Sequence, residues 1–160
     1  MIVLVMGVAG VGKTTIGEAL ARRLGWRFID ADDFHPPQNV AKMKAGIALA
    51  DADRWPWLSH LNRVLKDEAN AVLACSALKE SYRQRLAQGI ADFTVVYLHG
   101  SFALIRERME SRQHRYMPAA LLESQFATLE PPANAIAIDV AATTDECVAA
   151  ILEKLRSAGR

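Results

Sequence analysis

Gly7-Val8-Ala9-Gly10-Val11-Gly12-Lys13-Thr14 spells G-x-x-x-x-G-K-[ST], a phosphate-binding loop, and the residues on either side supply the context that motif requires. The run before it, Met1-Ile2-Val3-Leu4-Val5-Met6, is apolar throughout and reads as a buried strand. The run after it places Ile16, Ala19, Leu20 and Leu24 at helical spacing. Strand, glycine loop and helix together point successive backbone N–H groups at a polyphosphate, and the helix adds the positive end of its dipole. Lys13 then reaches the outer phosphates, and the Thr14 hydroxyl is placed to ligate Mg²⁺.

The rest of the chain bounds what surrounds this loop. Its 160 residues suit one domain with one sizeable core, and 51% hydrophobic with 23% charged residues is ordinary for a soluble globular protein. A formal charge of +1 gives no field for nucleic acid or an anionic membrane. Cys75 and Cys147 lack metal-ligand spacing and need no disulfide, which fits a reducing compartment. No apolar run approaches the roughly 18 residues that span a bilayer. The chain opens directly on a strand with no basic leader, so a cytoplasmic setting is expected.

Strand-like runs at 2–6, 27–30, 71–75, 94–98 and 135–139 alternate with helical stretches at 13–24, 38–45, 54–69, 79–88, 102–111, 119–129 and 145–157. Alternation of this kind predicts an α/β fold, a parallel sheet covered on both faces, and strands apolar along their whole length agree with it. Ligands in such folds bind beyond the carboxyl ends of the strands. Each remaining motif lies just after a strand.

Asp30-Ala31-Asp32-Asp33-Phe34-His35-Pro36 follows the second strand. One carboxylate there can hold a Mg²⁺ water and a second can accept the proton of an attacking hydroxyl; the alternative is a polar turn capping the next helix, a role that can account for Asp33 alone. In Asp51-Ala52-Asp53-Arg54-Trp55-Pro56-Trp57-Leu58, Asp53 suits an N-cap, Pro56 fits a first turn, and Trp57 joins Leu58, Leu61, Val64 and Leu65 in a buried stripe. Arg54 stands where the helix dipole disfavours a cation, which favours work as an anion ligand. After the third strand, Cys75-Ser76 occupies the place where many phosphate-loop enzymes carry an acidic residue, leaving the carboxylates to Asp30 and Asp32. Lys79 and Arg83 are four apart on one helical face, either sharing an anionic ligand or standing as two solvated cations. Arg106, Arg108, Arg112, His114 and Arg115 form the densest basic patch, readable as a lid that closes over phosphates or as a solvated face. Backbone following the last strand, around residues 138–141, is placed to meet a nucleotide base.

These blocks, together with Asn39-x-x-Lys42-Met43-x-x-Gly46 and Ser124-Gln125-Phe126-x-x-Leu129-Glu130-x-Pro132, resemble the gluconokinase family over nearly the whole chain. The phosphate loop is shared with many ATPases; the Asp-Arg-x-Pro-Trp-Leu and Cys-Ser-Ala-Leu-Lys blocks are specific to that family. The resemblance implies a three-layer P-loop fold like that of shikimate kinase, with a five-stranded parallel sheet, a substrate-binding helical segment near 36–70 and a helical lid near 108–122. It implies transfer of the γ-phosphoryl of ATP, with Mg²⁺, to the 6-hydroxyl of D-gluconate, and a homodimer. On that footing Gly7, Val8, Ala9, Gly10, Val11, Gly12, Lys13, Thr14 and Thr15 cradle the phosphates and Thr14 and Asp30 serve the metal. Asp32 takes the proton. Arg54, Lys79 and Arg83 hold gluconate, and His35 either bonds a substrate hydroxyl or braces its turn. Arg108 and Arg112 close over ATP, Arg112 beside the reaction. The chain departs from the family at Ala48, where a proline is usual, and at Arg115, where the lid often has histidine, so that Arg108, Arg112, His114 and Arg115 remain alternative lid cations. A kinase of another hydroxy-acid, shikimate-like, and an ATP-binding switch are the rival readings.

Overall fold

The computed structural model describes residues 1–111 and 119–158. Five parallel strands, β1 (Ile2–Met6), β2 (Arg27–Asp30), β3 (Ala71–Ala74), β4 (Phe93–His99) and β5 (Ile136–Asp139), lie in the order β2-β3-β1-β4-β5. The register pairs Val3 with both Val72 and Thr94, which fixes β1 at the centre. All five residues of β1 are buried, so its pleat feeds two cores. Val3 and Val5 pack with α1 (Lys13–Leu24) and α7 (Thr144–Ala158) on one face. Ile2, Leu4 and Met6 pack with α3 (Asp51–Lys66) and α4 (Glu80–Ala87) on the other. This is the three-layer arrangement expected of strands that read as apolar throughout. The chain leaves β1 towards one edge through α1 and returns from β3 across β1 to β4, so the carboxyl end of β1 is a switch point where a crevice must open.

The remaining helices are α2 (Pro37–Lys44), α5 (Phe102–Glu110) and α6 (Ala119–Thr128). A 3₁₀ turn over Ala31–Phe34, absent from the sequence reading, follows β2 directly; the Asp30 carboxylate caps it by accepting from the Asp32 N–H at 3.0 Å. The start of α3 also differs from expectation. It begins at Asp51, and Asp53 is its third residue, whose carboxylate reaches back to the Ala50 N–H at 2.8 Å. Asp53 therefore satisfies an orphan donor from inside the first turn and is not the cap itself. Pro56 consequently lies in the second turn, where it withholds an N–H from the Ala52 carbonyl. Trp57, Leu58, Leu61 and Leu65 are buried as the spacing predicts, and Val64 of the same stripe is half-buried. No described helix is long and apolar enough to cross a membrane.

Candidate active site

The phosphate loop bends between β1 and α1 as its glycines permit. Gly12 caps α1 at φ 95°, in the left-handed region that a side chain disfavours. At Gly7 an added Cβ would lie 2.6 Å from the Leu98 carbonyl oxygen, so the loop can hug β4 only without a side chain there. The cavity in front of the loop measures about 410 Å³ and is lined by Ala9, Gly10, Gly12, Lys13, Thr14, Thr15, Asp30 and Asp32, with Cys75 and Ser76 at its floor. Lys13 Nζ donates to the Val8 carbonyl at 3.1 Å, folding the side chain over its own loop. Burial lowers its pKa from the ordinary lysine value, and the nearby Asp32 and Asp30 carboxylates oppose that fall. Burial likewise raises the Asp30 carboxyl, with Asp32 and Asp33 adding to the rise against the bond from the Asp32 N–H. The Cys75 thiol, pushed up to about 12 by burial, brings no charge to this floor.

The donors around this loop suit a hydrated Mg²⁺ carried in with phosphate oxygens. Among the described residues no three His, Cys, Asp or Glu side chains cluster to cage a metal. Mg²⁺ asks for less, keeping several waters and binding through one or two protein oxygens plus phosphates, which the Thr14 hydroxyl and the Asp30 carboxylate match. A second, smaller cavity of about 250 Å³ lies behind the loop, bounded by Gly10, Thr15, Arg108, Val140, Thr143 and Thr144. Val140, on the segment after β5, and Arg108 of α5 lie on its wall.

A third cavity, again about 410 Å³, meets the first along Asp32, Met43, Cys75, Ser76 and Gln125. His35, Arg54, Trp57 and Tyr82 form its polar side, and Ile47, Leu49, Leu78 and Leu121 its apolar side. Arg54 is held by the Tyr82 hydroxyl, which accepts from Nη1 at 3.2 Å and donates to Asp51 at 2.5 Å. Lys79 stands one step back from the cavity, 3.4 Å from the same Asp51 carboxylate and 5.6 Å from the Tyr82 ring centre. The Tyr82 bond, followed by Lys79 and Arg54, holds the Asp51 carboxyl below its usual range.

Arg83 does not reach this cavity. It is 4% exposed and donates to the Ala77 carbonyl at 2.7 Å, the Glu130 carbonyl at 2.8 Å and the Glu80 carboxylate at 3.0 Å. These bonds pin Ala77, the only non-glycine among the described residues with a positive φ, at 44°. Arg83 thus holds the wall that Ser76, Ala77 and Leu78 present to the cavity, in place of the anion that the spacing suggests. Lys79 is also the residue before α4, so the two cations do not share a helical face. Asp33 is exposed and lines neither main cavity. Arg112, His114 and Arg115 lie outside the described residues.

Gln125 and Tyr82, to which the sequence alone assigns no role, line the site, and Asn39 stands behind it. Gln125 of α6 accepts the Ala9 N–H of the phosphate loop at 2.7 Å, Tyr82 orients Arg54, and Asn39 contacts His35. Asn39 and Gln125 fell inside recognisable blocks, but the partners that define their work lie on other elements.

Comparison with known proteins agrees with this geometry. The sequence matches the shikimate kinase family over residues 9–156. It is 44% identical to a probable gluconokinase of Mus musculus, across 97% of either chain, and 46% identical to a gluconokinase of Gluconobacter oxydans (strain 621H), across 81% of this chain and 75% of that one. The chain belongs to the gluconokinase family. A solved gluconokinase from Sinorhizobium meliloti 1021 superposes with a TM-score of 0.90 at 43% identity, covering 97% of this chain and 91% of that one. Membership makes the chain a nucleotide-binding P-loop kinase, on the five-stranded parallel scaffold expected.

Proposed function

We propose that this protein transfers the γ-phosphoryl of ATP to the 6-hydroxyl of D-gluconate, giving 6-phosphogluconate and ADP. The observation that carries the reading is the meeting of two cavities at Asp32, one walled by phosphate-binding backbone, the other by polar side chains around a cation. Gly7 to Thr15 seat the phosphates, and Lys13 swings from the Val8 carbonyl to the oxygens that gain charge. Thr14 and Asp30 would hold Mg²⁺ together with the phosphates, and the bound ion would supply positive charge to the transferring group. Asp32 positions the attacking hydroxyl and takes its proton. Arg54, fixed by Tyr82, meets the gluconate carboxylate, with Lys79 beyond it supplying longer-range attraction. Arg108 serves the nucleotide side, and the segment near 108–122 acts as the lid over a substrate-binding segment near 36–70.

Identity of 44–46% to gluconokinases favours gluconate over shikimate as the acceptor, although the scaffold is common to both. An ATP-binding switch would have no use for a cation-bearing acceptor cavity beside the phosphate loop. The test is a coupled ADP-release assay over a panel of sugar acids with shikimate included. Gluconate should be the preferred acceptor. Equal release with every acid, or none with gluconate, would reject the assignment.

A further inference from the structure

Asn39 is 1% exposed, the most deeply buried polar side chain among the described residues, and nothing above requires an amide in that place. Its Nδ2 lies 3.0 Å from the Asp53 carbonyl oxygen and 3.3 Å from Nδ1 of His35. A backbone carbonyl can only accept, so it fixes which end of the amide faces it; the oxygen turned that way would set lone pair against lone pair. The NH₂ group carries two hydrogens, one for Asp53 and one for His35. His35 Nδ1 therefore receives a hydrogen bond and must keep its lone pair. A neutral imidazole holds one N–H, which leaves it on Nε2.

Nε2 points the other way, to Asp32 Oδ1 at 3.8 Å, within reach of a small shift or one water. Asp32 has no side-chain partner of its own among the described residues that would set the direction of its carboxylate. The His35 ring is held in plane by Trp57, with centroids 4.0 Å apart and planes 18° apart, and the Trp57 indole is itself fixed on the Ala31 carbonyl at 2.8 Å. Ring plane and proton position are both set before any substrate arrives.

We propose that Asn39 is a positioning residue for phosphoryl transfer: it locks His35 as the neutral Nε2–H tautomer, whose N–H orients one oxygen of Asp32 and leaves the other for the acceptor hydroxyl. The role given to Asp32 rests on the kinase reading above; the tautomer does not. Protonation of His35 would set a second N–H against the Asn39 N–H. The groups facing the ring agree with a neutral state: burial lowers its affinity for a proton, Arg54 on α3 lowers it further, and Asp32 on the 3₁₀ turn alone opposes them, while Trp57 and Asn39 carry no charge.

Long-range ¹H–¹⁵N NMR of the wild-type protein reads the tautomer directly, with His35→Gln identifying the ring among the four histidines. His35 should show an unprotonated Nδ1 and a protonated Nε2, and should not titrate at the ordinary value of 6.5. An Nδ1–H ring, or ordinary titration, overturns the proposal. In Asn39→Asp the partner accepts where it used to donate, so the proton should move to Nδ1 or the ring should charge at higher pH than in wild type. With it, kcat for gluconate should fall about tenfold, the worth of one hydrogen bond in the transition state, with the KM for ATP unchanged. A moved proton with unchanged kcat would overturn the positioning role. If no sugar acid is phosphorylated while the wild-type ring shows the Nε2–H form, the kinase reading fails and the tautomer assignment stands.

Discussion

The two walls of the cleft are built on opposite plans. The donor wall is one contiguous stretch, residues 7–15, and works mainly through backbone N–H groups at a helix start. The acceptor wall is assembled from residues dispersed between positions 32 and 128, brought by the 3₁₀ turn after β2, α2 and the residues after it, α3, the segment after β3, α4 and α6. Backbone donors recognise any phosphate chain, so a single motif suffices and one substitution there should damage catalysis whatever the acceptor. Side-chain recognition of a particular acid needs several elements in register, so damage there should separate by substrate and by kinetic constant.

The largest effect should come from the donor wall. Lys13→Ala should lower kcat roughly a thousandfold, as expected when a preorganised cation on developing charge is removed, with fold and melting temperature kept. Turnover near wild type in a coupled assay would break the assignment of this wall. At the junction, Asp32→Asn should lower kcat about a hundredfold with little change in the KM for gluconate. A rise in KM alone would make Asp32 a binding group of the acceptor wall and move the boundary between the two. Within the acceptor wall, Arg54→Lys keeps the charge but loses the fork that matches a carboxylate. The KM for gluconate should rise about tenfold while that for ATP stays constant. A parallel rise in both would mean that Arg54 serves the phosphates.

The same contrast governs what the sequence discloses. The loop, β1 and α1 are legible because their signals are local: apolar run, glycines, lysine and helical period are all within reach of one another. β1, β2 and α1 have the boundaries expected. The start of α3 is not legible because Ala50 carries no capping side chain and the acid that satisfies its N–H lies three residues inside. Arg83 departs from expectation because a cation on the helix after β3 looks the same in sequence whether it meets a ligand or a buried carbonyl. Its decisive partner, Glu130, is 47 positions away. Asn39 and Lys42 stood in a recognisable block without a visible reason. The fold supplies it: Lys42 clasps both oxygens of the Asp53 carboxylate at 2.9 Å and Asn39 bonds the Asp53 carbonyl at 3.0 Å, joining α2 to α3.

The smallest expected effect tests whether the two walls are independent. Gln125 of α6 lines both cavities, and its side-chain oxygen accepts the Ala9 N–H at 2.7 Å. A phosphate oxygen seated in the loop would use the same donor, so the acceptor-side helix and the nucleotide compete for one hydrogen bond. Gln125→Ala removes the competitor and leaves an exchangeable N–H open to water or phosphate. The KM for ATP should therefore fall about threefold, the lower end of what a single neutral hydrogen bond is worth, with the KM for gluconate changed less. Isothermal titration with a non-hydrolysable ATP analogue measures this without turnover. Weaker binding of the analogue would mean that Gln125 supports the loop in its phosphate-ready shape, and the two walls would then be coupled through α6 in the opposite sense.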